Sequence, residues 1–269
     1  MRVLFIADLV GDDAVSFAID LLPRIKTMHK IDFTIVNGEN ADKGKGITGK
    51  QVNRLKEIGV DCITSGNHIW DPRKRVSLID HAGFLIRPLN YPEGNVGLGD
   101  AVIKLNNGHR IAVLNLQGRS FMYAINCPFK VGEKRIRQLR SEASVIIIDF
   151  HAEATAEKQA LGSYFDGKVS AIIGTHTHVQ TADERILPGG TAYITDAGMT
   201  GPENSVIGMD TQSAIDRFLL QSHVYYKIAK GKIRLNGVVL EIDENTGKAT
   251  DIYRLNYNKE EFSDESQNY

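Results

Sequence analysis

The stretch Val3-Leu4-Phe5-Ile6-Ala7-Asp8 is a run of five apolar residues followed by an acidic one. A short apolar run without alternation is typical of a strand that is buried on both faces, as in a parallel sheet. The same arrangement, a buried strand followed at once by polar side chains, recurs along the chain. These further strands are predicted at Phe33 to Val36, Asp61 to Ser65, Ser144 to Asp149 and Ala171 to Gly174. The repetition indicates a sheet whose strand ends carry the polar chemistry.

Amphipathic segments with helical spacing separate these strands. They are predicted at Val15 to Met28, Thr48 to Ile58, Pro72 to His81, Val131 to Arg140, Thr155 to Tyr164 and Thr211 to Leu220. Thr48 and Asp71 are suitable N-caps for two of these helices. Alternation of strand and helix requires crossover connections and therefore favours largely parallel strands.

An antiparallel element is predicted in the middle of the chain. Asn106-Asn107-Gly108 is a hairpin turn sequence, and strand patterns at Val102 to Leu105 and Arg110 to Leu116 flank it. Further strands are predicted at Tyr225 to Ala229, Val238 to Ile242 and Asp251 to Leu255. The predicted fold class is therefore α/β, with two stacked mixed β-sheets flanked by helices in one domain over residues 1–257. Residues 258–269 are polar and acidic, and we expect a flexible tail there.

The composition bears on the classes of partner. The 269 residues carry a formal net charge of −1, with 42% hydrophobic and 24% charged residues. This balance gives no reason to expect a stable nucleic-acid complex or a membrane partner. A small anionic substrate is compatible with it, because a bound metal ion supplies local positive charge. Cys62 and Cys127 are expected to be free thiols. The first apolar run is too short for a signal peptide, so we expect a cytoplasmic protein.

Side chains able to bind metal ions follow each of the predicted buried strands. They are Asp8, Glu39, Asn40, Asn67, His151, His176 and His178, with His68 beside Asn67. Because the carboxyl ends of parallel strands meet at one edge of a sheet, we expect these groups to lie together. Mixed carboxylate, amide and imidazole donors suit first-row transition metals such as Mn, Fe, Co or Zn. Seven ligands exceed the needs of one tetrahedral ion, and they fit two ions that share a carboxylate and act on a phosphoryl group.

The backbone around the ligands gives two more expectations. If the chain is extended at His176-Thr177-His178, both imidazoles point to the same face, and each can reach one metal ion. Gly38, Gly66 and Gly174 precede ligand groups, where the chain must turn sharply and approach the ions closely.

Several of these motifs resemble those of the calcineurin-like metallophosphoesterases. Gly66-Asn67-His68 matches one motif of that superfamily, and Gly174-Thr175-His176-Thr177-His178 matches another with one inserted position. Asp8-Leu9-Val10 lacks the usual histidine, and Gly38-Glu39-Asn40 replaces the usual Gly-Asp. The altered set resembles the YmdB-type bacterial phosphodiesterases. Further matching stretches lie at 37–41, 115–119, 149–155, 174–183 and 194–202.

The resemblance implies a four-layer αββα sandwich and a division of the ligands between two metal ions, iron or manganese. One ion receives Asp8, Glu39, Asn40 and His178, and the other receives Glu39, Asn67, His151 and His176. In this assignment Asn40 fills the place of the missing histidine, Glu39 bridges the ions and His68 is the proton donor. The implied reaction is hydrolysis of 2′,3′-cyclic nucleotides (2′,3′-cAMP or 2′,3′-cGMP) to 3′-nucleotides by a metal-bridging hydroxide.

Two alternative functions stay open. The first is a phosphodiesterase or phosphomonoesterase of broader specificity, because the metals perform the chemistry while loops select the substrate. The second is a regulatory nucleotide-binding metalloprotein with little turnover. Arg119 and the irregular segment Gln117 to Lys130 are the candidates for substrate contact, and Trp70 is expected to pack near the site. The sequence leaves a homo-oligomer open.

Overall fold

The apolar runs fold into two β-sheets. The computed structural model describes residues 1–70 and 80–265. The strands within these residues are β1 (Arg2–Ile6), β2 (Asp8–Leu9), β3 (Phe33–Asn37), β4 (Cys62–Thr64), β5 (Asp100–Lys104), β6 (Arg110–Gln117), β7 (Val145–His151), β8 (Ala171–Thr175), β9 (Arg185–Ile186), β10 (Ala192–Ile194), β11 (Met199–Pro202), β12 (Ile233–Ile242) and β13 (Ala249–Asn258). The helices are α1 (Asp12–Met28), α2 (Gly49–Glu57), α3 (Pro128–Leu139), α4 (Thr155–Phe165), α5 (Thr211–Leu220) and α6 (Lys259–Glu265).

Both sheets mix parallel and antiparallel pairs. In the first sheet β1 is parallel to β3, and β3 is parallel to β4. On the other side of β1 lies antiparallel β12, which pairs in turn with β13. The short strands β2 and β11 pair with each other, and β11 joins the sheet at β12. The second sheet has the order β5-β6-β7-β8-β10-β9, with antiparallel pairs only at its two edges.

Three apolar cores separate four layers of structure. Phe5 of the first sheet and Val113 of the second belong to the core between the sheets. Leu22 of α1 belongs to the core on the outer face of the first sheet, and Leu161 of α4 belongs to the core on the outer face of the second. The central strands are apolar throughout because both of their faces are buried. The predicted α/β fold, two stacked mixed sheets flanked by helices, is confirmed.

One helix cap and one turn are found where local sequence signals predict them. The Thr48 hydroxyl accepts the backbone N–H of Gln51 at 3.3 Å, and the Gln51 side chain accepts the backbone N–H of Thr48 at 2.9 Å. This reciprocal capping box starts α2 at the predicted place. The turn Asn106-Asn107-Gly108 joins antiparallel β5 and β6, with Gly108 at a φ of 91° that favours glycine. The predicted hairpin is therefore confirmed.

The prediction of free cysteines also holds. Cys62 is a buried free thiol on β4, and Cys127 is a partly buried free thiol directly before α3. Among the helices of the described ranges, none has the length and apolar composition needed to cross a membrane.

Two predicted segments differ from the structure, and a third cannot be compared. Tyr225 to Ala229 is not a strand; within it only Ile228 forms an isolated bridge, with Met209. Its apolar side chains pack on loops, as Ile228 does against Gly11, and so the segment has no neighbouring strand to pair with. The irregular segment predicted from Gln117 to Lys130 is shorter, because β6 includes Gln117 and Pro128 starts α3. Of the helix predicted at Pro72 to His81, residues 72–79 lie outside the described ranges, and Asp80 and His81 are in a turn.

Part of the segment expected to be a flexible tail is helical: residues Lys259–Glu265 form α6. Phe262 is fully buried, with its ring centroid 5.3 Å from that of Tyr257 and the Arg24 guanidinium 4.9 Å above it. Burying a phenylalanine contributes about 1.5–3 kcal/mol, and ion pairs of Glu260 with Lys232 and of Glu261 with Arg234 add to the docking of the helix.

Replacing Phe262 tests this docking. Phe262→Ala should lower the free energy of unfolding by about 3–5 kcal/mol, because it removes a large buried ring. Urea denaturation followed by circular dichroism measures the change. Phe218→Ala is the matched control, since Phe218 is 71% exposed and its loss should change stability by less than about 0.5 kcal/mol. Equal stability of the two variants would show that α6 is not docked in solution.

Candidate metal centre

The predicted ligands come from strand ends of both sheets. Asp8 begins β2, Glu39 and Asn40 follow β3, and Asn67 follows β4, all in the first sheet. His151 ends β7, and His176 and His178 follow β8, in the second sheet. The site therefore lies where the carboxyl ends of the two stacked sheets meet.

Glu39 is the contact between the two halves. Its carboxylate is fully buried, and Oε1 lies 3.1 Å from His151 Nε2 and 2.8 Å from His68 Nδ1. The other oxygen, Oε2, accepts the backbone N–H of His68 at 3.0 Å. Glu39, His151 and His176 offer ligand atoms that all lie within 4.8 Å of one another. This is a geometry that can hold a metal ion.

A second group of donors surrounds His178. Its Nε2 lies 3.2 Å from Asp8 Oδ2 and 3.0 Å from Asn40 Nδ2. Asn40 Oδ1 lies 3.1 Å from His68 Nδ1, which connects this group to Glu39. The structure thus brings Asp8, Asn40 and His178 together on one side of Glu39.

Hydrogen bonds orient the two buried imidazoles for ligation. His178 Nδ1–H donates to the carbonyl oxygen of Ile207 at 2.9 Å. The Thr175 hydroxyl donates to Asp149 Oδ1 at 2.7 Å, so it accepts from His151 Nδ1–H at 2.9 Å. When either ring is neutral, its Nε2 therefore carries the lone pair, and this nitrogen faces Glu39 in His151 and Asp8 in His178. Outer hydrogen bonds of this kind set the tautomer and direction of metal-binding histidines.

Unsatisfied buried oxygens show that the residues fit a bound cation. Both carboxylate oxygens of Asp8 and the amide oxygen of Asn67 are buried and have no hydrogen-bond partner in the part of the chain that the structure describes. Burial of a carboxylate without hydrogen bonds is costly, and a metal ion would remove that cost. A Cβ at Gly66 would overlap the side chains of Glu39 and His151. The glycine there provides space, as expected for a close approach.

The charges of the site are arranged around Glu39. Burial favours neutral Glu39, but the positive charge of His151 outweighs it and holds the pKa of Glu39 well below its usual value. Burial likewise opposes a charge on His151, yet Glu39 raises the pKa of His151 to about 9. Burial and the neighbouring His151 together lower the pKa of His176 to about 3. A histidine must lose its proton from the ligating nitrogen to bind a metal ion, so a proton and a metal ion would compete for His151.

The backbone at His176 and His178 is not extended, contrary to the prediction. β8 ends at Thr175, and the two histidines have φ values of 100° and 64°. Such φ values are costly for non-glycine residues, of order 1–3 kcal/mol each. The turned chain sends the imidazoles apart: His176 contacts His151, and His178 contacts Asp8.

A buried ion pair holds this turned segment. Asp196 Oδ2 accepts the backbone N–H of Thr177 at 3.0 Å and its hydroxyl at 2.8 Å. Lys158 Nζ lies 2.6 Å from the same oxygen, and both side chains of the pair are 1% exposed. The sequence interpretation missed this pair because Lys158 lies in a helical pattern and reads as a surface residue.

The remaining candidates lie around the centre. His68 is 31% exposed, unlike the buried ligand candidates Glu39 and His151. Trp70 packs against Tyr91 with ring centroids 4.2 Å apart, as expected of a packing residue. Arg119 is exposed. It lines a cavity of about 310 Å³ together with Ser120, Ala124, Ile125 and Glu157.

Other supporting residues were also missed. They are Asn37, Asp149, Thr175 and Glu153, which contact the ligands or each other. For Asn37, Asp149 and Thr175 the available signal was a polar residue in an otherwise apolar strand, whereas Glu153 lies in the loop after β7.

Solved structures share this fold. A structure described as a novel phosphatase from Mycoplasma pneumoniae superposes with a TM-score of 0.89 at 37% identity, over 96% of this chain and 93% of its own. The calcineurin-like phosphoesterase YfkN from Bacillus subtilis matches in fold, with a TM-score of 0.58 at 12% identity over 100% of this chain and 96% of its own. The chain therefore has the fold of these phosphoesterases, with a cluster of potential metal donors at its strand ends.

Sequence similarity identifies the family to which the chain belongs. The model of a family described as YmdB-like protein matches residues 4–255. A Bacillus subtilis (strain 168) protein named 2′,3′-cyclic-nucleotide 2′-phosphodiesterase is 49% identical over 255 residues, which cover 95% of this chain and 96% of the relative. The chain belongs to the YmdB-like protein family, and the resemblance seen in the sequence is confirmed.

A methyl group at Gly66 tests the geometry of the centre. Gly66→Ala should weaken metal binding by about 10–100-fold, the range found when support around metal ligands is disturbed. The reason is the overlap of the added Cβ with Glu39 and His151. Metal affinity can be measured by calorimetric titration with Mn²⁺. Gly49→Ala is the control, since its Cβ would meet no atom closer than 3.6 Å. Unchanged affinity in Gly66→Ala would contradict the proposed ligand positions.

Proposed function

We propose that this protein is a two-metal phosphodiesterase that hydrolyses 2′,3′-cyclic nucleotides, such as 2′,3′-cAMP and 2′,3′-cGMP, to 3′-nucleotides. The observation that carries the proposal is the cluster around Glu39, in which donors from both sheets converge on one buried carboxylate. The name of the Bacillus subtilis relative supports the substrate class. The fold supports phosphoester hydrolysis.

Glu39 would bridge the two ions. Asp8, Asn40 and His178 would complete one ligand set, in line with their contacts on one side of Glu39. The second set would be Asn67, His151 and His176, in line with the contacts of both histidines and the unpaired oxygen of Asn67. Iron or manganese suits this mixture of oxygen and nitrogen donors. When bound, the ions lower the pKa of coordinated water and neutralise charge on phosphoryl oxygens.

His68 is placed to act as the general acid. Two oxygens, Glu39 Oε1 and Asn40 Oδ1, face its Nδ1, which must therefore carry a hydrogen. Nε2 is the remaining nitrogen of a ring that is 31% exposed. Protonated His68 would give its Nε2 proton to the departing ribose 2′-oxygen as the bond from phosphorus to that oxygen breaks. The oxygen of water forms the new bond to phosphorus, and a 3′-phosphate remains.

The second candidate is a broader phosphodiesterase or phosphomonoesterase with the same centre. It is favoured by the description of the Mycoplasma pneumoniae structure as a phosphatase. The loop after β6 is exposed at Phe121 and Tyr123, so few fixed walls restrict the substrate on that side. We place the protein in the cytoplasm in either case, where cyclic nucleotides from RNA breakdown would occur.

A panel of substrates separates these functions. The protein, purified with Mn²⁺ or Fe²⁺, should cleave 2′,3′-cAMP at least about tenfold more efficiently than 3′,5′-cAMP, an aryl phosphodiester or an aryl phosphomonoester. Chromatography should detect 3′-AMP and not 2′-AMP. Equal rates on all diesters would favour the broader enzyme. Tight nucleotide binding without turnover would favour the regulatory protein. Elemental analysis of protein purified without added ions identifies the resident metals.

Replacing His68 tests the general acid. His68→Ala should retain both ions yet lower kcat by about 10²–10⁴-fold, the usual contribution of a positioned acid. Metal content is measured alongside turnover of 2′,3′-cAMP. The matched control is His223→Ala, which changes an exposed histidine whose ring contacts Tyr225. If metal content falls together with activity, His68 is a ligand and the assignment is wrong.

A further inference from the structure

Gln117 is a buried side chain with an unused donor. It is the last residue of β6 and is 0% exposed. Its amide nitrogen, Nε2, has no hydrogen-bond partner among the described residues. Leaving a buried donor unpaired costs about 1–3 kcal/mol, so such an atom generally has a partner that is part of the protein's function.

The position of Gln117 places this donor at the metal centre. Ile111 and Val113 of β6 and Val145 and Ile147 of β7 belong to the core between the sheets. Side chains two residues apart on a strand share a face, so Gln117, four residues after Val113, continues the same inward face. Its register partner on β7 is His151, a candidate ligand that continues the inward face of its own strand. The two side chains therefore lie side by side.

The hydrogen bond of the other amide atom gives the side chain its orientation. Gln117 Oε1 accepts the hydroxyl of Tyr91 at 3.0 Å. Burial of Tyr91 and, to a smaller extent, the Glu39 carboxylate raise the pKa of Tyr91 to about 12, which keeps the phenol protonated. Tyr91 is itself packed against Trp70, two residues after His68. With Oε1 held in this way, Nε2 is the atom that remains for a ligand.

The backbone of Gln117 is fixed as well. Its N–H donates to Asn90 Oδ1 at 2.9 Å, and its carbonyl accepts Asn90 Nδ2–H at 2.8 Å. The next residue, Gly118, donates its N–H to the carbonyl of His151 at 3.0 Å. A donor held this rigidly loses little freedom when a ligand binds, which favours a role in positioning.

We propose that Gln117 Nε2–H donates a hydrogen bond to a non-bridging oxygen of the substrate phosphoryl group, and that Tyr91 is the residue that positions it. This deepens the proposed function and rests on it. A phosphoryl oxygen is the fitting acceptor because it is anionic and must come next to the metal ligands, of which His151 is the neighbour of Gln117. Gln117 lies in the stretch 115–119, which is part of the family resemblance and contains no candidate metal ligand. A contact with the substrate would give this stretch a function.

Gln117→Met tests the proposal, because it keeps the length of the side chain and removes the donor, together with the oxygen that accepts the Tyr91 hydroxyl. We expect kcat/KM to fall about ten- to hundredfold for both 2′,3′-cAMP and an aryl phosphodiester, as for loss of a hydrogen bond to a charged group. The inhibition constant for inorganic phosphate should rise by a similar factor, with metal content and melting temperature unchanged. Tyr91→Phe should give a smaller loss in the same direction. Tyr193→Phe is the matched control, since it removes a buried hydroxyl whose hydrogen-bond partner among the described residues is Thr195, and it should leave kcat/KM, phosphate inhibition and metal content unchanged.

A second variant guards against misfolding. Gln117→Glu keeps the volume and the acceptor for Tyr91 but puts a negative charge toward the phosphoryl group, so it should weaken phosphate inhibition more than Gln117→Met. Unchanged phosphate inhibition in both variants, or loss of metal in both, would overturn the proposal. If the wild-type protein cleaves the aryl diester but not 2′,3′-cAMP, the cyclic-nucleotide substrate is wrong, while the aryl diester and phosphate still report on Gln117.

Discussion

One buried carboxylate, that of Glu39, joins the strand ends of the two sheets. It leaves the first sheet after β3 and contacts His151 at the end of β7 in the second. A charge buried this deeply is tolerated only with opposite charge nearby, so the sheets must stack with these two strand ends in contact. Apolar packing holds the sheets together over most of their area but is not directional. The position of one sheet against the other at the site therefore depends on this polar contact.

On the faces that point between the two sheets, polar side chains replace apolar ones a few residues before the candidate ligands. Asn37 Nδ2 of the first sheet donates to Asp149 Oδ2 of the second at 2.8 Å, and the backbone N–H of Ser65 donates to Asn115 Oδ1 at 3.2 Å. Burial raises the pKa of Asp149 to about 7, because its effect is larger than the opposing effect of the nearby His151 charge. This layer of hydrogen bonds between the sheets supports the ligands and specifies a single register, since each buried polar group is matched to one partner.

The sequence was sufficient for the long central strands and for the candidate ligands at their ends, but not for the short strands β2, β9, β10 and β11. Asp8, Glu39 and His151 each follow or end a continuous apolar run, so the strand pattern and the potential ligand lie close together in the sequence. It was not sufficient where conformation depends on distant contacts. The left-handed backbone at His176 requires a segment held by the Lys158–Asp196 pair, whose members are 38 residues apart. The docking of α6 likewise depends on the packing of Phe262 into a core that contains residues from the start of the chain, such as Leu4.

The carbonyl of Ile207 that orients His178 belongs to a loop, whereas the hydroxyl that orients His151 belongs to a central strand. Ile207 is half exposed and has a φ of 50°, so its peptide is held by the loop and not by a ladder of strand hydrogen bonds. The two halves of the centre consequently differ in what orients their histidines. The orientation of His151 is set inside the sheet, whereas that of His178 is set by a short loop whose ends, Val206 and Met209, bond to each other.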